Sequence, residues 1–150
     1  MRIEVLESAF DPWQEVLEHE SSLTPGSFGA TAVFVGTMRD MNEGDAVTRM
    51  TLEHYAGMTE EHLAQAAHQV QADHETVDVV ILHRIGDIAP GDPIVLVGVW
   101  SKHRAEAFEA CEKLVEYLKS QAPFWKKEQL SDGANRWVEH NTPGPKGAVK

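Results

Sequence analysis

Residues 94–121 of the chain, IVLVGVWSKHRAEAFEACEKLVEYLKSQ, predict a buried strand that leads directly into an amphipathic helix. The apolar run Ile94–Trp100 shows no polar alternation, which is typical of a strand covered on both faces. The helix is expected from about Arg104 to Gln121, with Ser101 or Lys102 at its N-cap, and Pro123 ends it. Its apolar face is predicted to consist of Phe108, Cys111, Leu114, Val115 and Leu118.

Working outward from this stretch, the chain alternates further strands with two more helices. Period-two and β-branched patterns predict strands at Arg2–Ser8, Gly29–Thr37, Ala46–Tyr55 and Thr76–Ile85. Helical spacing predicts helices from Pro12 to about Glu20, capped by Asp11, and over Thr59–His74, with Thr59 as a possible cap. Met38–Asp45 is expected to be a loop, and Phe124–Glu139 a hairpin around Asp132-Gly133.

These elements predict a single α+β domain with a mainly antiparallel sheet and about three helices. The strand Ala46–Tyr55 is expected to pair antiparallel with the strand before it. The domain is expected to cover residues 1–140. Residues 141–150 hold two prolines, two glycines and two lysines, which predicts a mobile C-terminal tail.

Composition excludes several classes of function. The formal net charge is −11, whereas non-specific nucleic-acid binding needs a surplus of Lys and Arg. One cysteine and eight histidines form no metal-ligand spacing, so neither a disulfide nor a metal site is expected. No apolar stretch approaches the ~20 residues of a membrane span, and the N-terminus lacks the apolar region of a signal peptide. We therefore expect a cytoplasmic protein with no bound cofactor and no membrane partner.

The cations of this acidic chain are concentrated in one stretch. Between residues 102 and 127 lie six of the thirteen Lys and Arg residues, namely Lys102, Arg104, Lys113, Lys119, Lys126 and Lys127. One interpretation is an anion-binding site, and the alternative is chance placement on solvated helix faces.

Three segments could supply such a site. Phe34–Asp40 ends a buried strand with Gly36 and carries Arg39, although for this segment alone a surface Arg39 paired with Asp40 is the favoured explanation. Trp100–Arg104 places cations at a helix N-terminus, where free N–H groups favour an anion. Leu118–Glu128 carries Lys119 in the last helical turn, which favours a cation in any case.

Two further residues in this part of the sequence bear on the chemistry. Within a strand, Lys126 and Lys127 would point to opposite sides, so only one can face a given pocket. Cys111 lies on the apolar helix face, which favours a buried structural thiol over a nucleophile. The pair His83-Arg84 at a strand end could line the site or pair with nearby acids, and we leave it unassigned.

Several short motifs, in order and at specific separations, resemble one protein family. They are Phe34–Asp40, Leu52–Tyr55 with Met58, His83–Gly86, Ser101–Arg104 with Phe108, Leu118–Lys119, Pro123–Glu128, and Gly133 with Trp137-Val138. The set resembles the MoaE family, the large catalytic subunits of molybdopterin synthase, over nearly the whole chain. The resemblance implies a hammerhead-like α/β arrangement within the α+β class.

The resemblance also implies a function. Members of this family insert two sulfurs into cyclic pyranopterin monophosphate (precursor Z) to form the dithiolene of molybdopterin. The sulfur arrives as a thiocarboxylate on the C-terminal Gly-Gly of a small ubiquitin-like subunit, MoaD. The family forms a homodimer that becomes a heterotetramer with two small subunits. This would explain why the chain needs no catalytic cysteine.

The same resemblance assigns the site residues. It places substrate contacts at Thr37, Met38, Arg39, His103, Arg104, Lys119, Lys126, Lys127 and Glu128. It makes Lys119 and Lys126 the expected catalytic residues. Our hypothesis is that Lys119 stabilises charge beside the thiocarboxylate while Lys126 acts as general acid or base, although these roles could be exchanged.

The predicted helix is too long for one subunit to hold all these residues together. Arg104 and Lys119 lie fifteen residues apart, which is about 22 Å along a helix axis. Either the helix is broken, or His103 and Arg104 complete the pocket of a second copy, which we favour. Two other classes remain open: a non-catalytic module that docks a ubiquitin-like tail or a nucleotide, and a different pterin- or phosphate-handling enzyme.

Overall fold

The computed structural model describes residues 1–138 of the chain. The predicted tail at residues 141–150 and the domain limit at residue 140 lie outside this part. Three helices occur within it, α1 (Pro12–Ser21), α2 (Met58–His74) and α3 (Arg104–Ser120). The strands are β1 (Arg2–Leu6), β2 (Ala30–Thr37), β3 (Met41–Asn42), β4 (Asp45–His54), β5 (Thr76–Arg84), β6 (Gly86–Ile88), β7 (Pro93–Ser101), β8 (Phe124–Leu130) and β9 (Asn135–Trp137).

A four-stranded sheet forms the centre of the fold, with strand order β1-β5-β7-β2. β1 runs parallel to β5, and the other two pairings are antiparallel. One face of the sheet packs against α2 and α3 through residues such as Val79, Ile81 and Val97. The opposite face buries Trp100 together with residues of α1. Since β7 is covered on both sides, the prediction of a buried strand at Ile94–Trp100 is confirmed. The strand β2 was also predicted to be buried, but it lies at the edge of the sheet and only Ala32 within it is buried.

The predicted pairing of Ala46–Tyr55 with the preceding strand is wrong, because this segment belongs to a second sheet. β4 pairs with β8, with β6 and with the short β3, and not with β2. The cause is the segment Met38–Asp45, which was predicted as a loop but contains β3 and the first residue of β4. It leaves the first sheet and turns through Glu43-Gly44, both with positive φ, so that β4 starts in a different sheet. The α+β class, the three helices and the dominance of antiparallel pairing are confirmed.

Helix α3 is continuous from Arg104 to Ser120, but two details of its prediction are wrong. The N-cap is His103, which has extended backbone and makes no side-chain cap bond. Phe108 is 65% exposed, and the buried stripe runs through Ala107, Ala110, Cys111 and Leu114. Each residue turns the helix by about 100°, so a stripe centred on Ala107 leaves Phe108 at its flank.

The start of α2 also differs from the prediction. Thr59 is fully buried inside the first turn, and Gly57 precedes the helix with a φ of 83°. The side chain of Glu60 accepts a hydrogen bond from the Gly57 N–H at 2.7 Å, which satisfies one free helix N–H. By contrast, Asp11 caps α1 as predicted, accepting from Trp13 N and Gln14 N.

The connection after α3 positions the candidate site. Only three residues, Gln121–Pro123, separate the helix from β8, so the last turn of α3 and the first residues of β8 lie side by side. The ends of β2, β5 and β7 meet the same region. No helix within residues 1–138 is both long enough and apolar enough to cross a membrane.

Candidate active site

A cavity of about 200 Å³ lies where α3, β8 and the central sheet meet. Its wall combines apolar side chains with five polar or charged ones, Thr37, His83, Lys119, Ser120 and Lys126. The lining residues are Phe34, Gly36, Thr37, His83, Ile94, Val95, Val115, Leu118, Lys119, Ser120, Ala122, Phe124, Lys126 and Val138. The cavity therefore combines two lysines with an aromatic and aliphatic wall, as a site for a small anionic ring compound requires.

Lys119 and Lys126 are brought together here and are hydrogen-bonded to each other. Burial lowers the pKa of Lys126 to about 8, and the positive charge of Lys119 contributes to the same direction. Burial also lowers the pKa of Lys119, and the charge of Arg39 adds to that effect. Their hydrogen bond acts on the two side chains in opposite directions, raising the pKa of Lys119 and lowering that of Lys126.

Lys127 lies on the other face of β8, as strand alternation predicted. Its Nζ is 5.8 Å from the centroid of the Trp137 ring, and it contributes to a shallow surface next to Arg49 and Glu53. Among the two neighbouring lysines, only Lys126 faces the cavity.

Glu128 is on the same face of β8 as Lys126 but is held in an ion pair. It is only 6% exposed, and its carboxylate accepts from Asn42 Nδ2 at 2.7 Å and Arg136 Nε at 3.0 Å. The negative charge of Glu128 raises the pKa of Lys126 and so opposes part of the effect of burial. Glu128 thus acts on Lys126 through its charge, from a fixed position.

The predicted residues at the end of β2 are divided between cavity, surface and core. Thr37 lines the cavity, and the exposed Arg39 is close enough for its charge to act on Lys119. Arg39 lies at the surface, as the alternative explanation assumed, but no ion pair joins it to Asp40 among the pairs formed within residues 1–138. Met38 is 5% exposed and packs in a core cluster, with its N–H and C=O bonded to loop residues 91 and 92.

His103 and Arg104 are not brought to this cavity within one chain. Both are exposed and lie at the start of α3, whereas Lys119 lies in its last turn. Because α3 is unbroken over its 17 residues, a break in the helix cannot bring them together. The shared site between two copies therefore remains as the interpretation for these two residues.

Three ring-bearing residues of the site were not assigned from the sequence, although His83 was left open as a possible lining residue. Phe34, His83 and Phe124 all line the cavity, and the His83 ring stacks on Phe124 with centroids 3.8 Å apart and an angle of 14°. The available signal was the placement of His83 at the end of a buried strand, where polar residues are unusual.

Cys111 behaves as the sequence predicted. It is 7% exposed in the core between α3 and the sheet, and burial raises the pKa of its thiol to about 11. A thiol in this state is a poor nucleophile because the thiolate is scarce at neutral pH. Within residues 1–138, no three His, Cys, Asp or Glu side chains are grouped as a metal site would need.

Comparison with known proteins agrees with this arrangement. Residues 7–121 match the MoaE protein family. A molybdopterin synthase catalytic subunit of Ralstonia nicotianae is 48% identical over 139 residues, covering 91% of this chain and 76% of that protein. The corresponding subunit of Pseudomonas aeruginosa is 47% identical, covering 93% of this chain and 91% of that protein.

A solved structure leads to the same family. The X-ray crystal structure of molybdopterin synthase from Staphylococcus aureus superposes with a TM-score of 0.81 at 31% identity, covering 91% of this chain and 96% of that one. The α+β fold and the pair of lysines at its cavity agree with membership of this family. The chain belongs to the MoaE family, and the resemblance drawn from its motifs is confirmed.

Proposed function

We propose that this chain works as the catalytic subunit of a molybdopterin synthase. In this role it is a sulfurtransferase that converts cyclic pyranopterin monophosphate into the dithiolene molybdopterin during molybdenum cofactor biosynthesis. The observation that carries the proposal is the hydrogen-bonded pair Lys119 and Lys126 inside a cavity of mixed polar and apolar lining. Family membership and relatives named as catalytic subunits support it.

The sulfur comes from a partner, because the only thiol of this chain is buried and protonated. The partner is a MoaD-like small subunit whose C-terminal Gly-Gly ends in a thiocarboxylate. A flexible, narrow tail of this kind suits a cavity of about 200 Å³ that no bulky domain could enter. The assembly is a homodimer of this chain with one small subunit at each end.

The lysine pair has the properties that this reaction needs. In each of two transfers, the thiocarboxylate sulfur forms a C–S bond to a side-chain carbon of the pterin while a C–O bond at that carbon breaks and its oxygen leaves with a proton. Water then breaks the acyl–sulfur bond and releases the partner as a carboxylate. The positive charge of Lys119 stabilises the negative charge of the acyl oxygen during this step. Lys126, with its pKa at about 8, exchanges a proton with the substrate near neutral pH.

The substrate phosphate is held by the remaining cations. Arg39 lies beside Lys119 and offers a planar fork of donors to a phosphate. His103 and Arg104 come from the second copy of the chain, since they lie at the far end of α3. Thr37 and the fixed charge of Glu128 complete the surroundings of the substrate. The enzyme is proposed to act in the cytoplasm.

Mixed dimers test the shared site. Arg104→Ala and Lys119→Ala homodimers should each be inactive, whereas a mixture should regain activity because one of the two sites in each mixed dimer is intact. A matched control mixes Lys119→Ala with Lys126→Ala; both lysines of a site come from the same chain, so each site of a mixed dimer keeps one damaged lysine and no activity should be regained. Mixtures of the first kind that stay inactive would contradict the proposed arrangement.

A direct assay separates this function from its rivals. The protein is incubated with the thiocarboxylated small subunit and cyclic pyranopterin monophosphate, and the dithiolene product is measured in a single turnover. Binding of the tail without product would indicate a docking module, and turnover of another pterin or phosphate compound alone would indicate a different enzyme on this fold.

A further inference from the structure

One buried polar side chain of the cavity has no role in the function described above. His83 lies on the central strand β5, opposite Val95 of β7 and Val5 of β1, and only 6% of it is exposed. It lines the cavity together with Lys119 and Lys126. A packing role alone would be served by an apolar residue, since burying a polar ring is costly unless its nitrogens are used.

The ring of His83 is held in a fixed orientation. One face stacks on Phe124 at 3.8 Å, and Phe124 stacks in turn with His54 at 6.4 Å. The Nδ1 atom lies 2.9 Å from the backbone oxygen of Arg84. A carbonyl oxygen can only accept, so Nδ1 carries the proton and donates it in this bond.

The protonation state of the other nitrogen follows from this bond and from burial. Burial lowers the pKa of His83 to about 3, and the charges of Lys126, Lys119 and His54 act in the same direction. The ring is therefore neutral at physiological pH, and Nε2 presents a lone pair. His83 cannot serve as a proton-transferring base near pH 7, because it does not hold a proton until strongly acidic conditions.

The cavity thus offers the Nε2 atom of His83 as an acceptor held by a fixed ring, beside the lysine donors and the hydroxyl groups of Thr37 and Ser120. Lysine and arginine side chains recognise phosphate and carboxylate groups, but they cannot accept a hydrogen bond from an N–H group in their charged forms. A pterin carries N–H groups on its ring system, and only an acceptor can recognise them. A neutral imidazole suits this purpose, since it adds no negative charge that would repel the phosphate of the same substrate.

We propose that His83 is a specificity-determining residue, and that its Nε2 accepts a hydrogen bond from a ring or amino N–H group of the bound pterin. This inference rests on the proposed pterin substrate. Recognition is then divided between two sets of residues: the cations bind the phosphate, and His83 accepts a hydrogen bond from the edge of the pterin ring. A compound with the same phosphate but no N–H donor at that edge is then discriminated against.

Two substitutions separate the role of Nε2 from the structural role of the ring. His83→Asn keeps an N–H near the Nδ1 position to donate to the Arg84 oxygen but has no atom at Nε2. His83→Gln can place an acceptor near the Nε2 position. We expect His83→Asn to raise the Kd of the pterin phosphate about tenfold, equivalent to about 1.4 kcal/mol, and His83→Gln to recover most of that loss.

The measurement is calorimetric titration of the folded homodimer with cyclic pyranopterin monophosphate, with thermal unfolding of each variant as the control for folding. Titration with pterin phosphates methylated at single ring or amino nitrogens gives a second test that needs no folded variant. One methylated form should bind the unaltered protein about tenfold more weakly. Where His83→Asn is folded, it should bind that form no more weakly than it binds the unmethylated compound.

Each outcome decides the inference. Unchanged binding by His83→Asn, equal loss in both variants, or no effect of any N-methylation on the unaltered protein would overturn the role of His83. Each of these results can occur while the unaltered protein still binds pterin and forms product, so the proposed function would stand. Failure of the unaltered protein to bind any pterin phosphate would instead overturn the proposed function and this inference together.

Discussion

Lys126→Met should remove sulfur transfer and at the same time make the protein more stable at neutral pH. The pKa of Lys126 falls from 10.5 to about 8, mainly because burial disfavours the ammonium. At about 1.4 kcal/mol per pKa unit, this corresponds to about 3 kcal/mol against the charged form in the folded state. Methionine has a similar volume and carries no charge, so it avoids this cost.

The stability gain from Lys126→Met is expected to depend on pH. The folded-state pKa is below that of an unfolded lysine, so between about pH 8 and 10.5 the unfolded chain binds more protons and stability rises with pH. Below pH 8 both states are protonated and the cost of burying the charge is present in full. The advantage of Lys126→Met is therefore largest below pH 8 and disappears above about pH 10.5.

Urea denaturation at pH 7 and pH 10.5 measures this effect. We expect an increase in the free energy of unfolding of up to about 3 kcal/mol at pH 7, reduced by the loss of the bond to Lys119. Lys127→Met is the matched control, since Lys127 lies on the opposite face of β8 and should change stability little. A Lys126→Met protein that is less stable than the parent at pH 7 would refute the reasoning.

Three further substitutions test the surroundings of the site. Cys111→Ala should keep sulfur transfer within about twofold while lowering stability by about 1 kcal/mol, as measured by single-turnover assay and denaturation, because the thiol is structural. Gly29→Ala should destabilise by more than about 1 kcal/mol, since its Cβ would lie 2.5 Å from the backbone oxygen of Lys102, and retained stability would contradict the close packing there. Glu128→Gln should weaken the bond to Arg136 and shift the pH–rate profile to lower pH, because the charge that raises the pKa of Lys126 is lost; a shift to higher pH would oppose this.

Local patterns were sufficient to predict most elements of the fold. The continuous apolar run before Trp100 and the helical spacing after it define β7 and α3, and Asp11-Pro12 marks the start of α1. The division into two sheets was not predictable in the same way. It depends on where the chain goes after Thr37, and nothing in the alternation of Ala46–Tyr55 states which strand is its partner.

The candidate site shows the same limit. Strand alternation separated Lys126 from Lys127, and the length of α3 separated Arg104 from Lys119, because both depend only on regular local geometry. The burial of Met38, by contrast, follows from packing between distant segments. The position of His83 against Phe124 likewise joins residues 41 apart, which no local pattern encodes.

Single-turnover sulfur transfer tests the central claim most directly. The purified chain is combined with the thiocarboxylated small subunit and cyclic pyranopterin monophosphate, and the dithiolene product is detected by mass. The account predicts product with the unaltered chain and with Lys127→Met, and its loss with Lys119→Ala and Lys126→Ala. Full turnover by Lys119→Ala and Lys126→Ala, or no product from the unaltered chain, would contradict the claim that this lysine pair performs the transfer.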